Sequence, residues 1–128
     1  MKNKVLIIQA NYYKDISTAL LKSAKNELKN FAKINVISVP GVFEIPVVIS
    51  KNLKKYDGFV ALGCVIKGQT PHFDFISKST TDAIMNISVN SKKPVGNGII
   101  TCLNKNQAIA RGKKGREAAN AVKTILSL

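Results

Sequence analysis

The chain has 128 residues, of which 45% are hydrophobic and 21% charged. That is the size of one ordinary domain, residues 1–128, with core enough to fold without staples, and the balance excludes a disordered chain. The net charge is +13, but 18 of the 20 basic residues are lysines scattered along the chain, with no aromatic interleaving and no tryptophan. Such a pattern reads as a solvated lysine surface rather than a nucleic-acid interface.

Val5 to Ile8 is a short apolar run suited to a buried strand. Asp15 is a plausible helix cap, and Ile16, Leu20, Ala24, Leu28 and Phe31 then recur at helical spacing. Ile34 to Val39 reads as a second strand, closed by Pro40-Gly41. Pro46 suits a helix first turn, with Ile45, Ile49 and Leu53 on one face. Asp57-Gly58 is a turn, and Phe59 to Ile66 a third, fully apolar strand. A helix follows from Asp74, carrying Ile76, Thr80, Ala83, Ile84 and Ile87. Pro94 introduces a strand over Val95 to Thr101. Ala118, Ala121, Val122, Ile125 and Leu126 then give a C-terminal amphipathic helix.

This βαβαβαβα order predicts a three-layer, flavodoxin-like α/β sandwich around a four-stranded parallel sheet. Ligands of such sheets sit at the carboxyl ends of the strands. Four segments gather there: Gln9 to Tyr13, Pro40 to Glu44, Lys67 to His72 and Cys102 to Asn104. The apolar runs are far too short to span a membrane, and MKNKVLIIQANYY lacks the apolar length of a secretory signal. Two cysteines, Cys64 and Cys102, make no disulfide framework, so a reduced, cytoplasmic setting is expected.

Gly63 to Thr70 fits a phosphate-loop spacing except that Gln69 replaces the lysine, and Gly63 falls inside the strand. A nucleotide-hydrolysing site is therefore excluded. What survives is a turn, Gly68-Gln69-Thr70, ahead of a helix N-terminus, where backbone N–H groups favour an anion. A phosphoacceptor domain of the same fold needs acidic residues after its first and third strands, and this chain has Gln9-Ala10-Asn11 and Val65-Ile66-Lys67. His72, the single histidine, follows the anion-friendly turn and suits proton transfer near neutrality. One histidine without a Cys or carboxylate cluster at ligand spacing argues against a metal site. Cys64 reads as a small buried apolar residue, and Cys102 has no activator nearby in sequence. Glu44, among apolar neighbours, would need donors such as a chain of hydroxyls. Arg111 offers a fork for a phosphate.

Taken in order, VPGVFEIP (39–46), ALGCVIKGQTPHFD (61–74), PVGNGIIT (94–101), QAIAR (107–111) and KKGREAA (113–119) resemble the 6,7-dimethyl-8-ribityllumazine synthase family. The resemblance covers almost the whole chain. It implies condensation of 5-amino-6-(D-ribitylamino)uracil with 3,4-dihydroxy-2-butanone 4-phosphate, releasing phosphate and water, without a cofactor. It also implies a homo-oligomer built from pentamers, with riboflavin synthase as a candidate partner.

By resemblance, Tyr12 stacks on the pyrimidine, Val42, Phe43 and Glu44 line the ribityl and uracil region, and Val65 and Ile66 present backbone to the uracil edge. Gly68, Gln69, Thr70 and Arg111 hold the phosphate, His72 shuttles protons, and Asn97 and Lys114 contact the substrate. Three features depart from the family pattern. Tyr12-Tyr13 stands where many relatives carry Phe-Asn. Asn97 takes a position often held by phenylalanine. Only Gly112-Lys113 separates Arg111 from Lys114, where relatives have about five more residues.

Overall fold

The apolar runs form the interior of a parallel sheet, whose strands are β1 (Asn3–Ala10), β2 (Ala32–Val39), β3 (Gly58–Ile66) and β4 (Val95–Cys102). The computed structural model describes residues 2–128, and its strand order is β2-β1-β3-β4. β1 and β3 lie in the middle and are covered on both faces, which is why their sequences are continuously apolar rather than alternating. Helices α1 (Lys14–Leu28) and α5 (Lys114–Leu126) cover one face, and α2 (Ile45–Lys51) and α3 (His72–Ser91) the other. The expected three-layer α/β sandwich is the fold that forms.

Alternation along each strand divides the core in two. Val5, Ile7, Val60, Leu62, Ile100 and Cys102 pack under α1 and α5, while Leu6, Ile8, Phe59 and Ala61 meet Ile45, Ile49 and Ile84. The chain runs from β1 outward to β2, then back across β1 to β3. Right-handed crossovers then require α1 and α2 on opposite faces, and the reversal leaves a crevice between the carboxyl ends of β1 and β3.

Several element limits differ from the sequence reading. Asp15 lies inside the first turn of α1, and Tyr13 occupies the cap position without a side-chain bond. α1 ends at Leu28, leaving Phe31 beyond it, and Leu53 likewise follows α2. α2 is preceded by a 3-10 turn, Val42–Glu44. α3 begins at His72, two residues before Asp74. The C-terminal stretch is two helices, because α4 (Lys105–Ala110) precedes α5. Its start is fixed by the Asn104 side chain, which accepts from the Gln107 N–H at 2.9 Å, while Gln107 Oε1 accepts from the Leu103 N–H at 2.8 Å. This reciprocal capping is the signal that marks α4 in the sequence.

Glycines set the distance between layers. A Cβ on Gly96 would collide with the Ala118 carbonyl, and one on Gly115 with the Leu20 carbonyl, so α5 lies directly on β4 and on α1. The Ser23 hydroxyl donates to the Gly112 carbonyl at 2.9 Å and ties the α4–α5 break to α1. On the opposite side, the Lys93 ammonium bonds the Leu53 and Tyr56 carbonyls and satisfies acceptors left open after α2. Gly115→Ala is expected to cost about 1–3 kcal/mol, the range for overpacking a filled interior. Urea unfolding measures it, and an unchanged midpoint would contradict this account of the α1–α5 contact.

Candidate active site

The crevice at the strand-order reversal is a cleft of about 300 Å³. Three loops build it. The segment after β1 brings Ala10, Tyr12 and Tyr13, the segment after β2 brings Gly41, Val42 and Phe43, and the end of β3 with the start of α3 brings Cys64, Val65, Ile66, His72 and Ile76. The walls are therefore apolar and aromatic, with one titratable imidazole at the mouth. Tyr12 is 75% exposed and Phe43 62% exposed, so two aromatic faces are presented to solvent at a cleft that could bury them against a flat ligand.

Local structure explains each position. Gly63 on β3 has no side chain because Val42 and Ala10 occupy that space, and this lets the 3-10 turn sit directly over the strand. Glu44 is half-buried beside the cleft, with its carboxylate folded back towards Gly41: a Cβ there would lie 3.2 Å from Oε1. The exposed turn Lys67 to Pro71 leads into α3. The Lys67 N–H bonds the Cys102 carbonyl at 2.8 Å, which fastens the turn to the end of β4, and the His72 N–H reaches Thr70 Oγ1 at 3.4 Å. Gly68, Gln69 and Thr70 thus stand at the N-terminal end of a 20-residue helix, where the helix dipole favours an anion.

The remaining expected residues lie elsewhere. Asn97, Arg111 and Lys114 line a second groove, of about 660 Å³, together with Thr101, Lys113 and Glu117 along the outer edge of β4. The Arg111 guanidinium donates to the Thr101 carbonyl at 3.1 Å. Asn97 pairs with Ala61, five residues before Ile66, so it lies about 16 Å along the strand from the end that carries His72. The two grooves share no lining residue. One chain therefore brings Tyr12, Val42, Phe43, Val65, Ile66 and His72 together in one cleft and places Asn97, Arg111 and Lys114 in the adjoining groove along β4. A larger surface groove, of about 1040 Å³ between α1 and the α4–α5 break, contains none of the expected residues.

A family model described as 6,7-dimethyl-8-ribityllumazine synthase matches residues 2–128. Among similar curated proteins, the 6,7-dimethyl-8-ribityllumazine synthase of Agrobacterium fabrum is 43% identical, covering 99% of this chain and 95% of its own length. That of Bartonella tribocorum is also 43% identical, over 99% of this chain and 90% of its own length. The 6,7-dimethyl-8-ribityllumazine synthase 1 of Rhodopseudomonas palustris is 42% identical, over 98% and 85% respectively. The chain belongs to the 6,7-dimethyl-8-ribityllumazine synthase family.

Within this lumazine synthase fold, Tyr13 and Cys64 are among the cleft-lining side chains to which the sequence assigned no role. Tyr13 is half-buried, its ring edge-on to Tyr12 with centroids 4.9 Å apart. Cys64, expected to be a small buried apolar residue, is half-buried and lines the cleft. An aromatic pair directly after the first strand was the available signal for Tyr13. Nothing in the sequence distinguishes Cys64 from a core residue.

Burial, then the neighbouring Cys102 thiol, pushes the Cys64 thiol up to about 12 from 9.0. The native state therefore keeps a proton that the unfolded chain releases above pH 9.0, and this group's contribution to stability falls as pH rises from 9.0 towards 12. Because the thiolate is the nucleophile, iodoacetamide at pH 8.5 should label native Cys64 far more slowly than the urea-unfolded chain. Peptide mapping by mass spectrometry measures both rates, and equal rates would refute the half-buried, protonated thiol.

Proposed function

We propose that the chain is a transferase of riboflavin biosynthesis, which condenses 5-amino-6-(D-ribitylamino)uracil with 3,4-dihydroxy-2-butanone 4-phosphate to 6,7-dimethyl-8-ribityllumazine. One observation carries the reading: a chain matched to this family over residues 2–128 has Tyr12, Phe43 and His72 in one cleft at the sheet's reversal point. Tyr12 stacks on the pyrimidine, Val42 and Phe43 line the ribityl and uracil region, and Glu44 accepts from ribityl hydroxyls. Val65 and Ile66 offer backbone groups to the uracil edge.

The 5-amino nitrogen attacks the ketone carbon, and loss of water gives a Schiff base. Phosphate leaves by elimination, and the ribitylamino nitrogen closes the ring with loss of a second water. Every step moves a proton, and His72, exposed at the mouth, is the group suited to carry it. Much of the acceleration comes from holding two substrates in register. Gly68, Gln69 and Thr70, with Arg111, stabilise the departing phosphate. The groove around Arg111 supports this assignment, since Lys113 and Lys114 face a single acid there, Glu117.

The phosphate-binding set is divided between two grooves of one chain, so each site is completed by a neighbour that supplies Arg111, Asn97 and Lys114. Phe75, Met85 and Val89 of α3 are more than half exposed, an apolar helix surface suited to burial between subunits. A head-to-tail ring of five chains meets both requirements. We assign the reaction to the cytoplasm, and no helix of the described residues is long and apolar enough to cross a membrane.

Mixing the purified protein with both substrates should produce lumazine absorbance and fluorescence above the uncatalysed background. His72→Ala should lower turnover by roughly 10²- to 10⁴-fold, with little change in substrate affinity. No product from the wild type would sink the assigned reaction, and unchanged turnover in the variant would remove His72 from it.

The shared site has its own test. His72→Ala and Arg111→Ala proteins are dissociated, mixed in equal amounts and reassembled, with hybrid rings verified by native mass spectrometry. About a quarter of the interfaces then carry both intact residues, and activity should return to about that fraction of wild type. Activity that stays at the level of the single variants would mean that both residues act from one chain.

A further inference from the structure

Tyr12 and Tyr13 are adjacent in sequence but differ in how firmly they are held. Tyr12 is 75% exposed. A ring this exposed samples several rotamers unless something restrains it. Tyr13 is held from both ends. Its backbone occupies the cap position of α1 in an extended conformation, and its carbonyl accepts from the Ser17 N–H at 2.9 Å. Its side chain packs against the core cluster under α1 and α5. The two ring planes meet at 80° with centroids 4.9 Å apart, the edge-to-face geometry that aromatic pairs favour. Both rings line the same cleft.

We propose that Tyr13 is a positioning residue for pyrimidine recognition: its anchored ring, edge-on to Tyr12, holds the exposed Tyr12 ring in the orientation that stacks on the substrate. The inference rests on the function assigned above and adds to it the residue that determines how well the stacking surface is formed before the ligand arrives. Restraining Tyr12 beforehand removes part of the ordering cost from binding. Burial, then the neighbouring Tyr12 and Cys64, raises the Tyr13 phenol above its ordinary value of 10.0, so the ring that meets Tyr12 is neutral throughout the physiological range. The contact needs an aromatic ring and no hydroxyl, so phenylalanine should replace Tyr13 and leucine should not.

The test is a double-mutant cycle on Tyr12→Leu and Tyr13→Leu, with Tyr13→Phe as the conservative variant. The Michaelis constants for both substrates are measured, and binding of 6,7-dimethyl-8-ribityllumazine, which carries the pyrimidine ring, is followed by its own fluorescence without turnover. Tyr13→Leu should raise the pyrimidine Michaelis constant and the lumazine dissociation constant by about 2- to 12-fold, the range of an edge-to-face pair. The butanone phosphate constant and kcat should stay within about two-fold, as expected when only ground-state binding of one substrate is lost. Tyr13→Phe should restore wild-type binding. In the Tyr12→Leu background, Tyr13→Leu should cost nothing further, because the ring through which it acts is gone.

Additive losses would mean that Tyr13 acts on the ligand directly or through the fold, and would overturn the inference. So would a Tyr13→Phe protein as weak as Tyr13→Leu, or a loss confined to kcat. The two readings fail separately. A wild-type protein that binds lumazine but makes none refutes the assigned reaction while the binding cycle still judges Tyr13. A wild-type protein that does not bind lumazine at all overturns both.

Discussion

The contact on which the rest of the structure depends is the direct approach of α5 to β4 and α1. It is made at Gly96 and Gly115, where a single methyl group would meet a carbonyl oxygen, and Gly98 extends it towards Leu62 and Ala118. Helices normally stand off a sheet by the width of their side chains. Here the missing side chains let Ala118, Ala119 and Val122 fill the space over the sheet beside Ile100 and Cys102. The position of α5 then fixes the α4–α5 break, which the Ser23–Gly112 bond secures, and with it Arg111 at the end of α4. The groove along β4 is a consequence of that packing.

On the other side of the sheet the same economy operates at one point. Gly63 makes room for Val42, so the turn after β2 closes over the end of β3 and brings Phe43 towards His72. A parallel sheet collects the carboxyl ends of all its strands at one edge, and the reversal of strand order sends the connections after β1 and β3 to opposite faces, so a cleft forms between them. β4 lies at the sheet edge, and the groove with Asn97, Arg111 and Lys114 opens outward from it. The geometry of a four-stranded sheet is thus sufficient reason for a single chain to carry His72 and Arg111 in separate grooves.

The charge distribution suits an anionic substrate. Seven acids face 20 basic residues, and three of those acids are already engaged: Glu27 by Lys123 and Arg116, Asp82 by Lys78, and Asp57 by the Lys4 backbone. The exposed pairs among these stabilise the fold little. What remains is a positive field that draws phosphate-bearing molecules towards the surface without specifying where they bind. Arg111 and the N-terminal turn of α3 lie within that field, the first along β4 and the second after β3.

The sequence by itself determined the fold class, because continuous apolar strands alternating with helical periods can be buried only in a parallel sheet covered on both faces. It also determined the motif residues: the turn before α3 with His72, the aromatic positions after β1 and β2, and Arg111, whose types and order carry the family resemblance. It could not determine which of these share a surface. That depends on strand order and on how closely the layers approach, and both are non-local: the close approaches at Gly63, Gly96 and Gly115 join residues far apart in sequence. The start of α4, absent from the sequence reading, is signalled by Asn104 and Gln107, whose spacing follows a local hydrogen-bonding rule. The exposure of Cys64 and the edge-to-face contact of Tyr13 with Tyr12 were decided only by the tertiary structure, because both side chains pack against a core cluster assembled from strands and helices far apart in sequence, and no local pattern of residues records that packing.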